Sequence, residues 1–135
     1  MRWVFTDPDG QEHPQMALEE IMVLIRTAGA AYWHASSATA GLTYWSADGA
    51  RSEMVVMVKA GVGTVLLFCE PGGAKEFVFV EGASDAPITT IYPGGNAWVV
   101  PRRYFISEAS AERLLREFMD TGLRPAGDCV LLGSE

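Results

Sequence analysis

Side chains suited to catalysis or metal binding are few and widely separated in this 135-residue chain. The two histidines, His13 and His34, form no HExxH pair, and no Cys-x-x-Cys motif is present, so the sequence supports no metal site. Cys69 could act as a nucleophile with His34 as its base. However, Cys69 lies in the apolar run VLLFCE, where desolvation would raise the pKa of the thiol and keep it unreactive.

The serines and glycines also lack the spacing that catalytic and phosphate-binding motifs require. No serine stands in a G-x-S-x-G elbow. The glycines of EPGGAKE and YPGGN match neither GxxxxGK[ST] nor GxGxxG, and Pro-Gly-Gly is typical of tight turns. We therefore expect no catalytic residue, no bound metal and no cofactor, and predict that the protein is not an enzyme.

Acidic side chains are the more promising candidates for a binding site. Seventeen Asp and Glu residues against ten Lys and Arg give a net charge of −7. Four carboxylates stand at the ends of predicted strands with only Lys75 among them: Glu70, Glu76, Glu81 and Asp85. Paired carboxylates could transfer protons, but this placement favours an acidic rim. The rim is either an ordinary solvated face or a contact patch for a basic partner.

Several aromatic residues accompany this rim. They lie in or next to predicted loops and strand ends: Trp33, Tyr44, Trp45, Tyr92 and Trp98. Trp and Tyr are enriched at binding hot spots because they bury a large area at low entropic cost. Core filling would account for part of the set, so both interpretations stay open.

Two amphipathic helices are predicted to hold these residues in place. After a turn at 7–13, apolar residues recur at helical period, and Pro14 suits a first helical position, which predicts a helix over 14–28. Near the C-terminus, Ser107 can cap a helix and Gly122 can end it. Between them, five apolar residues share one helix face: Ala111, Leu114, Leu115, Phe118 and Met119.

The middle of the chain predicts an antiparallel sheet. Runs of β-forming residues separated by short glycine turns lie at 42–47, 53–59, 64–70 and 76–80, with short strands at 88–92 and 97–100 and a further strand that could lie at 130–132. Two runs, 53–59 and 64–70, are apolar at consecutive positions, which predicts burial on both faces or a central position in the sheet. The predicted fold is α+β, an antiparallel meander of about five strands with an N-terminal and a C-terminal helix packed on it, in one domain over 1–135.

Composition restricts the partner and the compartment. An acidic chain lacks the basic footprint needed to bind nucleic acid directly. The opening MRWVFTDPDG carries no apolar signal segment, and no apolar run approaches the roughly 20 residues of a membrane span. Two cysteines 60 positions apart make no disulfide framework. The sequence therefore predicts a cytoplasmic protein that contacts no membrane.

The C-terminal segment carries a resemblance to a known family. After Val100-Pro101, the helix sequence LREFMDTGLRP resembles the closing helix of the family-one immunity proteins of bacterial polymorphic toxin systems. The matching residues are Glu117, Phe118, Thr121, Gly122, Arg124 and Pro125. The order of helix, strand meander and helix fits as well. One departure is the stretch from Gly127 to Cys129, where such proteins often have a tryptophan.

The resemblance implies an antidote that binds and inhibits a cognate toxin domain, a nuclease or nucleic-acid deaminase, by occluding its active site. An acidic surface would then stand in for nucleic-acid phosphate in a basic toxin cleft. Eight residues are predicted to contact the toxin: Trp45, Asp48, Glu70, Glu76, Glu81, Asp85, Tyr92 and Trp98. The alternative is a small ligand-binding or regulatory domain without catalysis, with a pocket between sheet and helices.

Overall fold

A computed structural model describes residues 3–27, 30–33, 39–73, 75–91 and 96–132. Its strands are β1 (Trp3–Thr6), β2 (Glu12–Pro14), β3 (Ala40–Trp45), β4 (Arg51–Lys59), β5 (Gly63–Cys69), β6 (Glu76–Phe79), β7 (Pro87–Ile91), β8 (Ala97–Pro101) and β9 (Cys129–Leu131). Its helices are α1 (Leu18–Thr27), the single turn α2 (Ala30–Trp33) and α3 (Glu108–Thr121).

Seven strands form one antiparallel sheet in the order β2-β1-β3-β4-β5-β6-β9. The mixed α+β class and the central meander are confirmed, but five is too few strands. Two strands extend one edge, and β9 extends the other. The short strands predicted at 88–92 and 97–100 do not join this sheet, because β7 and β8 pair only with each other in a separate hairpin.

The predicted start of the first helix at Pro14 is wrong. Pro14 pairs with Val4 in β2, and α1 begins at Leu18. Because β2 is an edge strand in the described sheet, it tolerates a residue without an amide hydrogen. The last residue of the predicted helix, at position 28, lies outside the described residues.

The main core lies between one face of the sheet and the helices α1 and α3. All five residues of the predicted α3 stripe are buried there. Both predicted caps are confirmed, since the Ser107 hydroxyl accepts a hydrogen bond from the Ser110 amide at 3.2 Å and Gly122 has a φ of 71°. Packing of the α3 stripe on this face of the sheet fixes the position of the helix on the sheet.

The other face of the sheet has a smaller core, and the β7–β8 hairpin covers part of it. Its buried side chains are Met57, Val65, Leu67, Val78, Val100 and Phe105. Neighbouring residues of β5 therefore reach different cores: Leu66 packs toward the helices, whereas Leu67 packs toward the hairpin. The predicted central position of the runs 53–59 and 64–70 is confirmed, since β4 and β5 each have a neighbouring strand on both sides.

The residues that carry the family resemblance hold the chain where it leaves α3. The Thr121 hydroxyl donates to the carbonyl oxygen of Glu117 and accepts from the amide of Leu123, both at 3.1 Å. The guanidinium of Arg124 lies 4.2 Å from the centre of the Phe77 ring. These contacts give a structural reason for a threonine at 121 and an arginine at 124.

The turn between β1 and β2 is organised by a buried carboxylate, Asp7. Its Oδ1 accepts from the amides of Asp9 and Gln11 at 3.0 and 2.9 Å, and its Oδ2 lies 3.0 Å from His13 Nε2. Burial alone would raise the pKa of Asp7, but the hydrogen bonds from His13, Gln11 and Asp9 outweigh it and lower the pKa below its usual value.

Replacing Asp7 by asparagine is expected to destabilise the fold in a pH-dependent way. Because the folded-state pKa is lowered, the ionised carboxylate contributes stability that is fully present above the unfolded pKa of about 3.9 and is lost as the pH falls through the folded value. Urea unfolding should show the deficit of Asp7→Asn at pH 7 shrinking toward pH 3. An equal deficit at both pH values would contradict this account.

Candidate functional site

Part of the sheet face that carries the hairpin is left uncovered by the described chain, at the end where β3 turns into β4. Strand pairing sets four residues opposite one another across β3, β4, β5 and β6: Thr43, Glu53, Cys69 and Glu76. The next pair along β3 and β4 is Trp45 and Arg51. Since alternate residues of a strand share a face, these six side chains lie together. We call them the open face.

Trp45 is the large apolar side chain of the open face. It is 37% exposed, on the last residue of β3. An indole ring buries a large area when a partner covers it, and its N–H can still donate a hydrogen bond. Trp45 is therefore suited to anchor a contact.

Glu53 lies near the middle of the sheet and is half-buried. Its carboxylate makes no hydrogen bond or ion pair with any described residue. A Cβ atom on Gly41 would lie 2.8 Å from Oε2 of Glu53, so the missing side chain at 41 gives this carboxylate its space. Arg51, two residues before Glu53, likewise has no ion pair within the described chain. Both charges are available to a partner.

Cys69 lies between Glu53 and Glu76 in the row of four residues that face one another across β3, β4, β5 and β6. We call these four residues the acidic row. The Cys69 thiol lies 3.8 Å from Oε2 of Glu76, to which it donates. Burial, together with the negative charges of Glu76 and Glu53, raises the pKa of the Cys69 thiol to about 12. The group is thus neutral and unreactive near pH 7, as predicted. His34, the base considered for it, lies outside the described residues.

A cleft of about 300 Å³ opens beside this row. Its lining residues are Arg51, Glu53, Cys69, Glu70, Gly72 and Gly73. Three carboxylates (Glu53, Glu70 and Glu76) stand in or next to the cleft, against the one guanidinium of Arg51. The arrangement favours a cationic group over an anion.

Three of the eight predicted contact residues meet at this site: Trp45, Glu70 and Glu76. Asp48 lies in the adjoining β3–β4 turn, where it accepts from the Ser46 hydroxyl and from the Ala50 amide. These hydrogen bonds lower the pKa of Asp48. Tyr92 lies outside the described residues.

The other three predicted residues lie away from the open face. Glu81 binds the N-terminal end of α3, accepting from the Ser107 amide at 2.6 Å and the Ser110 hydroxyl at 2.5 Å. Asp85 forms an ion pair with Arg103. Trp98 is half-buried and packs against the hairpin core. The seven of the eight predicted residues that the structure describes therefore do not all lie on the open face.

The sequence analysis did not single out Glu53 or Arg51. A signal was present, because pairing the runs 53–59 and 64–70 around their short loop sets Glu53 opposite Cys69. The same pairing continued to the next strand adds Glu76. Reading cross-strand neighbours would therefore have located the row.

Within the described chain, no three His, Cys, Asp or Glu side chains are placed to hold a metal ion. None of the described helices is both long and apolar enough to cross a membrane. Comparison of the chain with models of known protein families gives no match, and neither does comparison with curated proteins. The resemblance to the immunity proteins stays a prediction.

Proposed function

We propose that this protein is an immunity protein that binds a cognate bacterial toxin domain and inhibits it, with the open face as part of the contact surface. The observation that carries the proposal is the exposed Trp45 on a sheet face that the described chain leaves partly uncovered, where the Glu53 carboxylate makes no hydrogen bond or ion pair with any described residue. An aromatic anchor surrounded by polar groups is typical of protein–protein interfaces.

Charge supports a basic partner. The net charge of −7 and the carboxylates around the cleft would attract a positively charged surface and speed its encounter. A nuclease or nucleic-acid deaminase needs such a surface to hold phosphate. An acidic protein seated there would exclude the substrate, which is inhibition by occlusion.

The alternative, a ligand pocket between sheet and helices, has less support. In the described chain, the space between α3 and the sheet is filled by fully or almost fully buried side chains, among them Phe68, Leu115 and Phe118. Such close packing leaves no room for a metabolite among these side chains. A small ligand would have to bind in the cleft of about 340 Å³ that Phe79 of β6 and Arg113 and Leu114 of α3 line.

The test is co-expression, in a bacterial host, with the C-terminal domain of the protein encoded immediately upstream. We expect that domain alone to arrest growth, and this protein to restore growth and to co-purify with it. An unrelated acidic protein of similar size controls for charge alone. Growth arrest that this protein does not relieve would overturn the proposal, as would a purified monomer that carries a metabolite and binds no toxin domain.

A further inference from the structure

We draw no further inference here: the strongest candidate, the cleft of about 310 Å³ that Lys59 of β4 and Glu108 at the start of α3 line, rests on a helix N-terminus with no second feature that points to a ligand, since Arg26 in the same cleft already pairs with Glu108.

Discussion

Replacing Gly122 by alanine is expected to lower the free energy of unfolding by about 2–4 kcal/mol. Gly122 has a φ of 71°, which an alanine adopts only with strain. An added Cβ would also overlap the ring of Tyr44. The carbonyl oxygen of Gly122 accepts a buried hydrogen bond from the Ser52 hydroxyl at 2.6 Å, so the backbone cannot shift without losing that bond.

Urea unfolding measures this effect, and Gly61→Ala is the matched control. Gly61 also has a positive φ, 78°, but a Cβ there would meet nothing within 4 Å. Its substitution should cost only the conformational strain, about 1 kcal/mol. Equal losses at 61 and 122 would show that the contact with Tyr44 contributes nothing.

Replacing Phe118 by alanine is expected to cost about 3–5 kcal/mol. Phe118 is fully buried, with its ring centre 6.1 Å from that of Tyr44 and 6.0 Å from that of Phe68. The substitution would leave a cavity between α3 and the sheet. The same unfolding experiment on Leu123→Ala, which is 69% exposed, should give a change within about 0.5 kcal/mol. A loss below about 1 kcal/mol for Phe118→Ala would mean that the core closes around the vacancy.

The helix α3 could be predicted in detail because its signals are local. A cap, an apolar stripe and a terminal glycine all act within one turn of the residues they control. The strand β1 could not, since its pairing with β3 joins Trp3 to Tyr44 over about forty positions and no short-range pattern encodes it. Pro14 was misassigned because a proline suits both a helix start and an edge strand.

The candidate site was predicted in part. Acidic and aromatic composition identified Trp45, Glu70 and Glu76. Composition does not separate a carboxylate that caps a helix, such as Glu81, from one that has no partner among the described residues, such as Glu53. That difference depends on which strands are neighbours. Predicting the site therefore requires the order of the strands in the sheet, whereas predicting the fold class requires only the periodicity of the apolar residues.

The residues of the family resemblance have a structural use of their own. Gly122 and Phe118 support the end of α3, and Arg124 covers the Phe77 ring. The same residue types would stabilise any protein in which a helix ends against a sheet in this way. Under the proposed function, substitutions there are expected to lower toxin inhibition by weakening the fold, while substitutions in the open face are expected to weaken toxin binding directly.

The hairpin of β7 and β8 lies on the sheet without pairing with it in the described chain. In the described chain its strands share no backbone ladder with the seven-stranded sheet, so apolar side chains such as Ile88 and Val100 hold it in place. Lifting it would break no ladder bond to the sheet and would uncover Met57, Val65 and Leu67 next to the acidic row. The burial of Met57, Val65 and Leu67 therefore depends on side-chain contacts with the hairpin and not on strand pairing.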